Sequence, residues 1–169
     1  GAFTHGSNGA CSYCHVVDAD SHAFKPELTS TCSMCHGEAT DIATIRLMRT
    51  TDYDGDGDVT EPLADEIAAL AALLYAEIQT ASGMTLVYSA SSYPYWFTDT
   101  NGDGVTDADE ASYSNSYKAW TAELLRAANN YQISQKEHGA WAHNTDYIAQ
   151  ILIDSIEDLG GDISGVNRP

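Results

Sequence analysis

Residues 52–82 read DYDGDGDVTEPLADEIAALAALLYAEIQTAS, an acidic run broken by glycines that turns directly into an apolar one. In the second half, Leu63, Ile67, Leu70, Leu74 and Ile78 recur at three- and four-residue intervals. That spacing places them on one face of an α-helix. Pro62 suits the first turn, where its missing N–H is no loss, and Ser82-Gly83 end the segment. The same reading extends outward from this helix. A final helix is expected from about Thr145 to Leu159, with Ile148, Ile151, Leu152, Ile156 and Leu159 facing inward and Gly160-Gly161 as the stop. Another is expected from Ala108 to about Gln135, its stripe formed by Tyr117, Trp120, Leu124, Leu125, Ala128 and Tyr131. A short one is expected from Asp41 to Thr50, with Ile42, Ile45 and Met48 on one side. Met84 to Phe97 alternates Leu86, Tyr88, Tyr93, Tyr95 and Phe97 around a Ser-rich turn and reads as extended. The expected fold class is mainly α with a small β element.

With 169 residues and 43% hydrophobic content, the chain suits one domain, or one domain with a small annex. It contains no apolar run of about 18 residues, so the sequence encodes no membrane span. The charge is lopsided, with 25 acids against 7 bases and a net charge of -18. So few bases cannot neutralise a phosphate backbone, which excludes nucleic acid as a natural partner. An acid excess of this size calls for cations, or for partners that supply positive charge. No signal peptide begins at Gly1, so an exported protein is expected here in its mature form.

The acids concentrate in two loops. Asp99-Thr-Asn101-Gly-Asp103-Gly104-Val105-Thr-Asp107-Ala-Asp-Glu110 fits the calcium-loop pattern D-x-[DN]-x-[DN]-G-x5-E at every specified position. Side-chain oxygens of Asp99, Asn101 and Asp103, the Val105 carbonyl, Asp107 and a bidentate Glu110 would form the shell. Thr106 stands where such loops usually carry an aliphatic residue. The earlier loop offers Asp52, Asp54, Asp56 and Asp58 in the same rhythm, but its twelfth position is Leu63. Glu61 or Glu66 is then the available substitute for the closing carboxylate. Without a cation, these acids would repel one another at close range. Calcium, as one or two ions with a structural role, is the expectation for these EF-hand-like loops.

Four cysteines carry a different signal. Cys11-Ser-Tyr-Cys14-His15 and Cys32-Ser-Met-Cys35-His36 are both C-x-x-C-H, the attachment signature of haem c. The spacing serves the chemistry, because two thiols add across two vinyl groups and the adjacent His reaches the iron. Seventeen residues separate Cys14 from Cys32, which also fits a zinc pattern. A zinc site or a pair of redox disulfides leaves both adjacent histidines unexplained. Two such chance placements have odds of roughly one in 800 by composition. The expectation is two haem c groups in a haem-wrapping segment, residues 1–40, followed by a helical calcium-binding domain over 41–160 and a C-terminal arm over 161–169. Covalent haem attachment places the protein outside the cytoplasm, periplasmic or extracellular.

After the proximal pair, four histidines remain, and two suffice to close both irons. His143, in Gly139-Ala-Trp-Ala-His143-Asn, is the first choice as a distal ligand. His5 and His22 stand level for the second. His138 reads as a surface residue, and Met34, Met48 and Met84 rank below histidine. If His5, His22 and His143 all ligate, one acts across a subunit boundary, and a head-to-tail homopolymer follows. The cluster from Tyr93 to Phe97 suits either a haem edge or ordinary core packing.

The two C-x-x-C-H motifs, with Asp52-Tyr-Asp-Gly-Asp-Gly-Asp, Tyr93-Pro-Tyr, Trp120-Thr, Asn130-Tyr-Gln, Gly139-Ala-Trp-Ala-His-Asn and Asp154-Ser-Ile-Glu-Asp-Leu, resemble a multihaem c-type cytochrome family of metal-reducing bacteria. Phe3-Thr-His5 likewise resembles the Phe-x-His ligand element of small multihaem cytochromes. The resemblance implies an exported, non-enzymatic carrier of single electrons, whose partners are redox proteins or extracellular acceptors, and it allows a nanowire-type filament subunit. The rival expectation is a dihaem peroxidase or reductase, in which one iron stays open to substrate.

Overall fold

A computed structural model describes residues 28, 36, 37, 39–46 and 50–169. The chain divides into two compact units, residues 1–47 and 48–169. In the first, the described residues form one 3-10 turn, Ile42–Thr44, whose entry is capped by the Asp41 carboxylate accepting from the Ala43 N–H at 2.8 Å. Of the helix expected from Asp41 to Thr50, the described residues 41–46 hold only this turn, and residues 47–49, Met48 among them, lie outside the described residues. Ile45 has already returned to extended backbone, as suits a run where β-branched Ile42, Thr44 and Ile45 weaken helix propensity.

The second unit holds α1 (Leu63–Ser82), β1 (Leu86–Tyr88), β2 (Trp96–Thr98), α2 (Ala122–Lys136), α3 (Ala140–His143) and α4 (Thr145–Asp158). Helices α1, α2 and α4 pack pairwise, and α3 packs on α1 and α4. The stripe Leu63, Ile67, Leu70, Leu74 and Ile78 is buried along α1, as its spacing predicts. It meets Leu124, Ala127 and Ala128 of α2 and Ile148, Leu152, Ile153 and Ile156 of α4 in one core cluster. The helical content and small sheet make the described fold mainly α.

Strands β1 and β2 pair antiparallel, with Leu86 opposite Thr98, Val87 opposite Phe97 and Tyr88 opposite Trp96. Gln79 of α1 clamps this hairpin to the helix. Its amide donates to the Leu86 carbonyl, and its amide oxygen accepts from the Leu86 N–H, both at 2.5 Å. Aromatic rings fill the junction: Trp96 stacks on Tyr75 at 5.8 Å and meets Tyr88 at 5.2 Å and Tyr131 at 5.4 Å. Burial there pushes the Tyr131 phenol up to about 12. Of the 93–97 cluster, Trp96 and Phe97 are core residues, whereas Tyr93 is 73% exposed.

The helix expected from Ala108 begins only at Ala122. A 3-10 turn at Tyr113–Asn115 and a bridge between Ser116 and Phe97 hold the preceding chain against β2. The Tyr117 N–H donates to the Trp96 carbonyl at 3.0 Å, so Tyr117 and Trp120 lie on an extended connection. Thr121 then starts α2, accepting from the Leu124 N–H at 3.1 Å. The shifted start leaves Leu125 exposed and buries Ala127.

Residues 161–169 run back over the body of the unit. Asn167 donates its N–H to the Tyr53 carbonyl at 3.0 Å and its amide to the Asp52 carbonyl at 2.5 Å. Arg168 pairs with Asp154 and Glu157 of α4. Among the described residues no helix is long and apolar enough to cross a membrane.

The two neighbouring leucines of α1 test this packing. Leu74 is fully buried and Leu73 is 44% exposed. Leu74→Ala is expected to lower unfolding stability by about 2–5 kcal/mol, and Leu73→Ala by less than about 0.5 kcal/mol, in denaturant melts of the holoprotein.

Candidate metal centre

Each acidic loop folds by turning its own carboxylates onto its backbone N–H groups. In the first, Asp52 accepts from Gly55 at 2.6 Å and from Gly57 at 2.9 Å. Asp56 accepts from Asp58 at 2.7 Å, and Asp58 from Thr60 at 2.8 Å. In the second, Asp99 accepts from Gly102 at 2.6 Å and from Gly104 at 3.0 Å, and Asp103 accepts from Val105 at 2.8 Å. The two loops therefore repeat one construction, in which the first Asp receives the N–H groups three and five residues on.

Their closing glutamates differ. Glu110 accepts from the Thr100 N–H at 2.6 Å, the Thr100 hydroxyl at 2.8 Å and the Asp107 N–H at 3.3 Å. These donors, led by the Thr100 N–H, hold its carboxyl below the usual range. Glu66 takes the same role in the first loop. It is fully buried on the first turn of α1 and accepts from the Tyr53 N–H at 2.6 Å and the Asp54 N–H at 3.2 Å. Counted from the leading Asp, Glu110 is the twelfth residue and Glu66 the fifteenth. The first loop thus closes with three extra residues, and Leu63 at its twelfth position is released to the core.

Among the described residues, two acidic trios have oxygens that all lie within 4.8 Å of one another, and both belong to the first loop. They are Asp52, Asp54 and Glu66, and Asp54, Asp56 and Glu61, with Asp54 common to both. Burial first, then the charges of Asp54, Asp56, Glu66 and Asp65, push Glu61 up to about 7. Burial likewise leads the rise at Asp54, joined by repulsion from Asp56 and Glu66. A hard divalent cation with oxygen ligands would remove that repulsion. In the second loop the donors belong to Asp99, Asn101, Asp103, Asp107, Glu110 and the Val105 carbonyl, and the Asn101 amide donates to Asp103 at 3.1 Å and Asp107 at 2.9 Å.

Three supports of the first loop are not marked by any motif. The Tyr53 hydroxyl donates to Asp146 of α4 at 2.5 Å, and Asn167 holds the loop from the C-terminus. Gly55, at φ +78°, lies so close to the tail that a Cβ there would fall 1.4 Å from the Gly165 carbonyl oxygen.

Of the haem residues expected from sequence, Cys11, Cys14, His15, Cys32, Cys35, His5 and His22 lie outside the described residues. His36 is half-buried, with its carbonyl accepting from the Ala39 N–H at 2.9 Å. His143 ends α3 with its side chain 58% exposed, its Nδ1 3.5 Å from Glu137 Oε1. His138 is exposed. In the sequence, paired thiols each followed by histidine are a donor set that fits haem c.

Paired C-x-x-C-H motifs are the attachment signature of c-type haem, and the chain is similar in sequence to multihaem c-type cytochromes. It is 28% identical to the C-type polyheme cytochrome OmcB of Geobacter sulfurreducens, over 90% of this chain and 21% of the relative. It is also 28% identical to the C-type polyheme cytochrome OmcC of the same organism, over 90% of this chain and 20% of the relative. The chain spans about a fifth of the length of these relatives. No protein-family model matches the chain, and no solved structure matches it.

The raised Glu61 carboxyl makes metal-free stability depend on pH. The folded state binds this proton more tightly than the unfolded chain, so stability falls as pH rises from 4.5 towards about 7. In EGTA, the melting temperature of the holoprotein is expected to drop across this window. Glu61→Gln is expected to flatten the slope, and excess calcium to remove it. A wild-type melt without this drop would contradict the assignment.

Proposed function

We propose that this chain is a dihaem, c-type electron-transfer unit of an exported respiratory protein, braced by calcium. The observation that carries the reading is the coincidence of two complete C-x-x-C-H motifs with similarity to polyheme c-type cytochromes over 90% of the chain. Haem c, when bound, supplies a one-electron iron couple whose potential is set by its ligands and burial.

The chain's own residues do the remaining work. Cys11 and Cys14, and Cys32 and Cys35, anchor the two groups. His15 and His36 are the proximal ligands, and His143 is the first candidate on a distal side, with His5 or His22 for the other. The helical unit offers His143 from a four-residue helix packed on α1 and α4. Calcium at Asp52, Asp54, Asp56, Asp58, Glu61 and Glu66 would hold the loop that joins α1, α4 and the C-terminal residues, and a second ion at residues 99–110 would fix the chain following β2. With a net charge of -18, the protein would dock redox partners that present basic surfaces. No observation favours the peroxidase or the head-to-tail polymer, and neither is carried further.

The visible spectrum of the dithionite-reduced holoprotein, before and after carbon monoxide, tests the carrier reading. Sharp low-spin bands unchanged by carbon monoxide are expected, with two haems per chain in the pyridine haemochromogen assay. A carbon monoxide shift on one haem would mean an open iron and would replace the carrier with the enzyme.

A further inference from the structure

We infer that Glu137 is a positioning residue that fixes the imidazole of His143 for iron ligation; this rests on the reading of His143 as a distal ligand. Glu137 caps the C-terminal end of α2, its N–H donating to the Ile133 carbonyl at 2.9 Å. Its side chain turns forward along the chain, and Oε1 accepts from the Gly139 N–H at 2.9 Å. The carboxylate is therefore anchored before it meets the histidine. From the other side, the His143 N–H donates to the Gly139 carbonyl at 2.8 Å, which brings the end of α3 back over residue 139.

The same Glu137 oxygen then lies 3.5 Å from His143 Nδ1. That separation is longer than a formed hydrogen bond. The two side chains are 58% and 52% exposed, so small rotations can close it when the ring is fixed by a metal. Gly139 makes the arrangement possible. A Cβ there would stand 2.4 Å from His143 Cε1, 2.5 Å from Nδ1 and 3.1 Å from Glu137 Oε1. Imidazole and carboxylate together occupy the space that any other residue at 139 would need.

A carboxylate at Nδ1 fixes the tautomer that carries its proton there, and Nε2 becomes the ligating nitrogen. It also makes the imidazole a stronger donor, which favours ferric over ferrous iron and lowers the potential. Metal-bound histidines commonly have such an outer partner, and its loss typically costs about 10–100-fold in metal affinity or activity.

Spectroelectrochemical titration and low-temperature EPR of the holoprotein test the inference with four variants. Glu137→Gln is expected to raise the potential of one haem by about 59 mV, a tenfold change in its one-electron equilibrium, and to leave the other unchanged. Glu137→Asp should recover part of the shift, and Gly139→Ala should reproduce it by displacing the ring. His143→Ala should convert the same haem to a high-spin, carbon monoxide-binding form. If His143→Ala leaves both haems low-spin, the ligand assignment itself fails and the inference falls with it. If His143→Ala opens one haem while Glu137→Gln leaves every potential and g-value unchanged, the ligand stands and the role of Glu137 is overturned.

Discussion

One buried carboxylate holds the described helical unit to its acidic loop. Glu66 has no exposed surface and receives two backbone N–H groups, from Tyr53 and Asp54. A charge removed from water is costly unless such donors or a cation replace its hydration. The two N–H groups offset part of that cost and fix the loop to the first turn of α1. Tyr53 carries the link onward, its backbone meeting Asn167 and its hydroxyl meeting Asp146 of α4. Two helices and the C-terminal residues therefore converge on one short acidic segment, and its electrostatic balance bears on all three.

The two acidic loops are one construction closed in two ways. Where Glu110 arrives at the twelfth position, the Thr100 N–H and hydroxyl stabilise its charge locally. Where Glu66 arrives at the fifteenth, Pro62 and Leu63 intervene, and Glu61 remains in the loop beside Asp54 and Asp56. The longer loop gathers more negative charge around a shared Asp54, and burial with mutual repulsion raises both Asp54 and Glu61. Calcium, as proposed above, would relieve such repulsion at residues 52–66 through oxygen ligands alone.

Much of the helical core was legible because burial follows period. The α1 stripe and the limits of α4 come directly from apolar spacing and flanking glycines. Within α4, however, Ile153 is fully buried and Ile151 only partly, a finer distinction than spacing makes. The start of α2 was hidden for a different reason. Tyr117 and Trp120 fit a helical stripe, yet the bridge from Ser116 to Phe97 claims that segment for the sheet. The acidic loops announced themselves by composition. The choice of Glu66 as closing residue, the Tyr53–Asp146 contact and the return of the C-terminus depend on tertiary placement that no local pattern carries. The Glu137–Gly139–His143 arrangement is similar: each residue is ordinary alone, and only the close approach of ring to backbone gives them a joint role.

The proposed cation site at residues 52–66 is the base on which α1, α4 and the C-terminal residues meet. Calorimetric titration of calcium into chelator-stripped holoprotein tests that base most directly, with wild type, Glu66→Gln and Glu110→Gln compared. Calcium binding is expected in the wild type, weakened at least about tenfold by Glu66→Gln, as loss of a buried carboxylate from the proposed site should do, and left intact at that site by Glu110→Gln. Equal binding by wild type and Glu66→Gln, or no binding by the wild type, would contradict the proposed site.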